Sequence, residues 1–261
     1  MYRKAQLTTY IGASIIDFVL RSVALKNKVL QTFQEAVADI PDGSTIMFPG
    51  FAGVGHPRNL MAALLSQGAK GLTGVSNGSG GRDDQVDVAT LINAHQFKKM
   101  IMAFTASPHP SNVTVFDEMY QSGEIDAELV PQGTLAERIR AAGSGIGAFY
   151  TRTGVGTEMA EGKESRTIDG KEYLLEYPIP ADYAFVRALR ADEFGNLQFK
   201  LSQRNFNPIM GMAAKTTIVE VEEEILKPGD IDPDNVHLSG IFVDRIVRIP
   251  ADGIWDKINR R

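Results

Sequence analysis

A regular alternation of strand-like and helix-like segments most constrains the fold of this 261-residue chain. Short apolar runs of strand length recur, and most are followed by a segment whose apolar residues have helical spacing. Strands are predicted at 45–48, 72–76, 99–104, 126–130, 183–188 and 216–220, and helices at 29–40, 59–65, 86–94, 113–122 and 134–142. This order predicts an α/β fold, in which a mostly parallel sheet carries helices on both faces.

Two segments depart from this alternation. The pair Asp169-Gly170 lies inside residues 164–177, between runs of alternating polarity, and predicts a small β-hairpin excursion. Residues 194–197 predict another turn, and a strand is expected to follow it at 197–201.

The sequence contains no repeat, low-complexity tract or linker that would divide it. We therefore expect one domain over residues 30–261, preceded by an N-terminal extension or helix at residues 1–29. The apolar stretch 10–25 is interrupted by Asp17 and Arg21, which favours an amphipathic segment over a signal peptide. An organellar presequence is the alternative for this stretch.

Composition argues against several functions. A net charge of −5 argues against nucleic-acid binding, and no apolar run is long enough to span a membrane. The absence of cysteine excludes disulfides, thiolate metal ligands and a cysteine nucleophile. Because the absence of cysteine is also typical of proteins in a reducing compartment, we expect a cytoplasmic protein. The four histidines lack the spacing of metal ligands, so no metal site is predicted.

A glycine-rich loop follows the first predicted strand. Gly50, Gly53 and Gly55 precede Pro57, which is well suited to open a helix. Their spacing is neither the dinucleotide fingerprint nor a phosphate loop. Glycines at this position let backbone N–H groups approach a ligand, although a tight strand–helix connection without a ligand needs the same residues.

Two further loops end predicted strands in an amide residue and glycine. Asn77 and Gly78 follow one strand; Asn77 either binds a substrate carbonyl or caps its own turn. Gln132 follows another strand, and Thr134 with Glu137 has the spacing of a capping box, which predicts that Gln132 lies outside the helix. Because the carboxyl ends of parallel strands share one edge, the three loops are expected to line one cleft.

The order of motifs along the chain resembles the family I coenzyme A transferases, and within them the A (alpha) subunit of the 3-oxoacid CoA-transferase type. The resemblance extends over about residues 30–249. Besides residues 42–57, it rests on KGLTGVSN at 70–77, VPQGTLAERIR at 130–140, AFYTRTGVGT at 148–157, RNFNP at 204–208, VEVE at 219–222 and IDPD at 231–234.

The resemblance implies ping-pong transfer of CoA between carboxylic acids, such as succinyl-CoA or acetyl-CoA and a 3-oxo acid, through a glutamyl-CoA thioester. It implies that the catalytic glutamate belongs to a beta subunit, that the assembly is α2β2, and that this chain is inactive alone. Coenzyme A thioester is then a substrate, and no cofactor is bound permanently.

The resemblance also implies roles for individual residues. Gln132 is expected to support the oxyanion, and Asn77 to be a polar group of the cleft. The residues expected to face the substrate are Gly50, Phe51, Gly53 and Gly78. The candidates for binding CoA phosphates are Arg58, Arg138, Arg152 and Arg204.

The sequence departs from the family pattern at Pro49, which replaces a glycine and removes a backbone donor, and in a longer loop at 105–112. The acceptor acid is therefore left open. An acyl-CoA hydrolase or ring-opening hydrolase on the same fold is the alternative enzyme. A non-catalytic protein that binds a phosphorylated sugar or nucleotide is the alternative from another class.

Overall fold

A computed structural model describes residues 27–81, 85–105 and 113–250 of the protein. Its strands are β1 Val29–Leu30, β2 Thr45–Phe48, β3 Leu72–Gly78, β4 Phe97–Phe104, β5 Asp126–Leu129, β6 Phe149–Thr151, β7 Ser165–Ile168, β8 Lys171–Glu176, β9 Ala181–Ala188, β10 Arg190–Ala191, β11 Leu197–Gln198, β12 Ala214–Val221 and β13 Arg245–Arg248. Its α-helices are α1 Phe33–Val37, α2 Arg58–Gln67, α3 Val88–Asn93, α4 Val115–Ser122, α5 Gln132–Gly143 and α6 Asn207–Ala213.

Eight strands form one sheet in the order β1-β13-β12-β9-β2-β3-β4-β5, and every neighbouring pair is parallel. The chain winds outward in one direction from β2 to β5 and in the other from β9 to β13. The reversal lies between β2 and β9, where connections leave in opposite directions and a crevice can open beyond the carboxyl ends of the strands.

Helices cover both faces of this sheet, as the sequence predicts. Leu60 and Leu64 of α2 and Leu91 of α3 pack into one core cluster, which also holds residues of α1 and α4. Leu135 of α5 and Met210 of α6 belong to a second cluster. Each fully buried side chain of this size contributes about 1.5–3 kcal/mol, so both helix layers are held mainly by apolar burial.

The predicted hairpin is present and belongs to a small antiparallel sheet with the order β6-β8-β7. Asp169 and Gly170 connect β7 to β8, and both have positive φ angles (49° and 71°). A two-residue turn of this kind suits Asp-Gly because its twist matches that of the flanking strands. The excursion therefore follows directly from a local sequence signal.

Several predicted elements differ from the structure. The helix expected at 29–40 is wrong at its start, because Val29–Leu30 pair with β13 and the helix covers only Phe33–Val37. The strand expected at 197–201 ends at Gln198, and a 3-10 turn follows. The elements α6 and β13 were not predicted.

Some expectations fall outside the part of the chain that is described. These are most of the predicted extension at 1–29 and most of the loop at 105–112. Among the described residues, no helix has both the length and the hydropathy needed to cross a bilayer. The cytoplasmic location stays a prediction.

Candidate active site

The carboxyl ends of β2, β3 and β4 surround a cavity of about 400 Å³, here called the inner cavity. Its described lining is Phe48, Gly50, Ala52, Gly53, His56, Arg58, Ser76, Asn77, Gly78, Gly80, Gln85, Asp87 and Phe104. Four of the predicted site residues, Gly50, Gly53, Asn77 and Gly78, are thus brought together by the parallel sheet. The first two loops line one cleft, as the sequence predicts.

The glycine-rich loop after β2 is held in a conformation that requires glycine. Gly50 has a φ of 126°, and a Cβ atom built on it would lie 2.5 Å from the imidazole of His56. Gly53 has a φ of 89°, and its carbonyl oxygen accepts a hydrogen bond of 2.8 Å from Arg58 Nη2. The loop therefore packs its backbone against His56 and Arg58, which both line the cavity.

Phe51 lies in the same loop but in a different position from the glycines. Its backbone forms two hydrogen bonds with Val54, of 3.0 and 2.9 Å, and its side chain is 49% exposed. The tight turn directs the chain so that Phe51 lies outside the described lining of the inner cavity. Its expected contact with the substrate stays a prediction.

The amides of the second and third loops are hydrogen-bonded to each other, and of the two only Asn77 belongs to the described lining of the inner cavity. Gln132 Nε2 donates a hydrogen bond of 2.6 Å to Asn77 Oδ1, although the two residues lie 55 positions apart in the sequence. Both side chains are solvent-accessible, so their remaining polar atoms can reach a ligand. This contact joins the end of β3 to the start of α5.

The predicted capping box at Thr134 is wrong. Helix α5 begins at Gln132. Its N-cap residue is Pro131, which makes no side-chain capping hydrogen bond. Thr134 is instead buried in the first turn, while Glu137 pairs with Arg140. Gln132 is therefore the first residue of the helix, which fixes its backbone more firmly than a loop position would.

A second depression, here called the outer crevice, has a volume of about 570 Å³. It lies beyond the carboxyl ends of β2, β9 and β12, at the reversal in strand order. Its described lining is Ala52, Gly53, Val54, Gly55, His56, Arg58, Gln85, Arg187, Lys200, Leu201, Ser202, Gln203 and Glu222. Five residues line both spaces: Ala52, Gly53, His56, Arg58 and Gln85.

A fully buried carboxylate, Glu220 of β12, anchors the wall between the two spaces. It accepts hydrogen bonds from the backbone N–H groups of Asn59 and Leu60 (2.9 and 3.1 Å) and from Arg187 Nη1 (3.1 Å). Arg187 also donates to Glu222 (2.8 Å). Burial raises the pKa of Glu220 to about 7, against the opposing effect of Arg187 and the N–H donors.

The structure separates the four arginines proposed for CoA phosphates. Arg58 lines both the inner cavity and the outer crevice. Arg138 pairs with Glu128 beside the small antiparallel sheet, Arg204 contacts His237, and Arg152 follows β6. Arg58 is thus the one of the four that the fold places in the described cleft.

The sequence model described as Coenzyme A transferase matches residues 30–248. The chain belongs to the coenzyme A transferase family. The A chain of 3-oxoadipate CoA-transferase from Pseudomonas putida is 47% identical over 223 residues, which are 85% of this chain and 94% of that protein. The corresponding chain of a probable succinyl-CoA:3-ketoacid coenzyme A transferase from Bacillus subtilis is 47% identical over 220 residues, 84% of this chain and 89% of that protein.

The solved structure of glutaconate coenzyme A-transferase from Acidaminococcus fermentans has the same fold. Its TM-score is 0.72 at 24% identity, and the match covers 85% of this chain and 76% of that chain. The predicted fold, family and enzyme class are therefore confirmed: the chain is a CoA-transferase chain with a parallel α/β sheet.

Several residues that line the cleft of this CoA-transferase chain carry little signal in the sequence. His56 is one of the four histidines without metal-ligand spacing, yet it lines both spaces and packs against Gly50. Phe104 and Lys200 were not considered, because they reach the cleft from β4 and from a 3-10 turn. Only the position of Phe104 at the end of a predicted strand could have indicated its place.

Proposed function

We propose that this chain is the alpha subunit of a heteromeric CoA-transferase that moves CoA between a short acyl donor and a 3-oxo acid. The observation that carries the proposal is the hydrogen bond from Gln132 to Asn77, which lines the inner cavity. In the proposal, these two amides meet the reacting carbonyl. The names of the relatives, which include a 3-oxoadipate and a succinyl-CoA:3-ketoacid enzyme, support the choice of substrates.

The chemistry follows from a glutamate supplied by the partner beta subunit. Its carboxylate attacks the thioester carbonyl, and the CoA thiolate leaves as an acyl-glutamyl anhydride forms. The thiolate then attacks the glutamyl carbonyl and releases the donor acid, which leaves a glutamyl-CoA thioester. The acceptor acid reverses both steps, so that acyl-CoA is formed and the glutamate is regenerated.

This chain contributes groups that stabilise charge and hold the substrate. In the proposal, Gln132 donates an N–H to the negatively charged oxygen of each tetrahedral intermediate, and Asn77 orients the Gln132 amide. The glycine loop lets the acyl group approach the backbone closely, because no side chain intervenes at Gly50 or Gly53. The assembly is proposed to be α2β2.

The test is an acyl-CoA assay on this chain together with its beta subunit, using a panel of carboxylate acceptors. We expect transfer only in the mixture, and Gln132→Ala is expected to lower kcat about 100-fold, or ~3 kcal/mol, which is typical of a lost oxyanion donor. Gln31→Ala changes an exposed glutamine outside the cleft and is expected to keep full activity.

Three results would contradict the proposal. Activity of this chain alone would place the nucleophile within it. Release of CoA by the mixture without an acceptor would identify the hydrolase that the sequence leaves as an alternative. Equal activity of Gln132→Ala and the unmodified chain would remove the role assigned to that amide.

A further inference from the structure

The outer crevice lies where an open α/β sheet offers a ligand site. Strands β2 and β9 are neighbours, and the connections after them run in opposite directions. The crevice opens beyond their carboxyl ends and is larger than the inner cavity, at about 570 against 400 Å³. Ligands of open parallel sheets bind at such reversals of strand order.

The crevice contains a lysine, Lys200, that lies outside the ion pairs of Arg187. Arg187 is paired with Glu220 at 3.1 Å and with Glu222 at 2.8 Å. Lys200 also lines the crevice, and within residues 27–81, 85–105 and 113–250 it has no ion pair. Lys200 therefore adds a positive charge that a bound anion can neutralise.

The polar crevice and the inner cavity lie next to each other and share part of their lining. Their shared wall is formed by the glycine loop, His56 and Arg58. The inner cavity is bordered by Phe48 and Phe104, by four glycines, and by polar side chains that include His56 and Arg58. A substrate whose reacting end lies near Asn77 can therefore extend past the glycine loop towards Lys200.

We propose that the outer crevice binds the remote carboxylate of a dicarboxylic substrate and that Lys200 selects for it. This inference rests on the proposed transferase function. Ser202, which also lines the crevice, supplies a neutral hydrogen-bonding group beside the charge. A monocarboxylic substrate fills only the inner cavity and makes no use of Lys200.

The test compares kcat/KM of the assembled enzyme for dicarboxylic substrates (succinyl-CoA, 3-oxoadipate) and monocarboxylic ones (acetyl-CoA, acetoacetate). Lys200→Met keeps the length of the side chain and removes its charge. We expect a roughly tenfold to hundredfold loss for dicarboxylic substrates, mainly through KM, since hydrogen bonds to charged groups have this strength. Monocarboxylic substrates should be unaffected, and Lys200→Arg should restore most of the loss.

Lys98→Met is the matched control, because Lys98 is an exposed lysine in β4 away from both spaces. It should change neither class of substrate. An equal loss for succinyl-CoA and acetyl-CoA in Lys200→Met would overturn the proposal and assign the charge to the CoA phosphates, which both thioesters share. No loss for either class would overturn it as well.

A binding measurement separates this inference from the proposed function. The melting temperature of the full chain alone is measured with succinate and with acetate at equal ionic strength. We expect succinate to raise the melting temperature and Lys200→Met to abolish the rise. This result would support the carboxylate site even if the assembled protein showed no transfer, whereas an equal response to both anions would argue against it.

Discussion

At the scale of single residues, Gly50 shows how one position determines the shape of the cleft. Its φ of 126° and its closeness to His56 are separate constraints, and each excludes a side chain. We expect Gly50→Ala to lower the free energy of unfolding by about 3 kcal/mol, through backbone strain and overlap with the imidazole. The measurement is urea unfolding, followed by the rate of the assembled enzyme, which should also fall.

Gly145→Ala is the control for this substitution. Gly145 also has a positive φ, of 70°, but no atom lies within 4 Å of an added Cβ. Gly145→Ala should therefore lower the free energy of unfolding only through backbone strain, by about 1 kcal/mol. Equal destabilisation by the two substitutions would show that contact with His56 has no effect.

Glu220 predicts a pH dependence of stability. Burial raises its pKa in the folded protein to about 7, above the value of 4.5 expected when unfolded. The folded state thus holds the proton of Glu220 more tightly than the unfolded state does. The resulting stabilisation of the fold is complete below pH 4.5 and is lost as the pH rises through 7. Across this pH range, we expect Glu220 to make the free energy of unfolding of the unmodified protein fall by up to about 3 kcal/mol. Glu220→Gln should remove this pH-dependent fall.

Urea unfolding at about pH 5 and about pH 7.5, on either side of most of this titration, checks the expectation. The difference between the two pH values should be smaller in Glu220→Gln than in the unmodified protein. Parallel pH profiles for the two proteins would mean that Glu220 keeps the same charge in both states.

At the scale of elements, the small antiparallel sheet lies outside the described lining of both spaces. Its turn at Asp169-Gly170 is local, and its strands do not join the main sheet. We expect Gly170→Val to destabilise this sheet by about 1–2 kcal/mol, because a β-branched residue is strained at a φ of 71°. Amide exchange should accelerate within β7 and β8, while the activity of the assembled enzyme stays unchanged.

Lys171→Val is the matched substitution one residue later. It introduces the same side chain at an exposed strand position, where valine is favoured. It should leave amide exchange unchanged or slow it. A loss of activity in Gly170→Val would show that the small sheet supports the cleft.

At the scale of the whole molecule, exposed apolar side chains gather at the carboxyl edge of the sheet. They are Phe51, Val54, Phe104, Leu129 and Leu201. Such a patch is typical of a surface that another chain covers. We expect Leu201→Asp to raise the Kd for the beta subunit by at least about tenfold, because it places a charge in the interface.

Ile241→Asp provides the comparison for Leu201→Asp. Both side chains are 83% exposed, but Ile241 precedes β13 and lies outside the described lining of both spaces. Titration of the labelled beta subunit should give an unchanged Kd for Ile241→Asp. An unchanged Kd for Leu201→Asp would place the partner on another surface.

The sequence alone determined the features that depend on local patterns. Buried parallel strands such as β2 and β3 are short apolar runs, which the sequence pattern predicts. The hairpin is predicted because Asp-Gly, here Asp169-Gly170, is favoured in two-residue turns. The loops at the ends of parallel strands then had to share one edge. For this reason Gly50, Gly53, Asn77 and Gly78 lie around one cavity.

Only the tertiary structure decided the features that depend on distant residues. Val29–Leu30 form a strand because β13 supplies the hydrogen bonds, and Gln132 is fixed at the start of α5 facing Asn77. Lys200 reaches the crevice through a 3-10 turn between β11 and α6. The physical reason is the same in each case: pairing and burial across the fold outweigh the weak preferences of short segments.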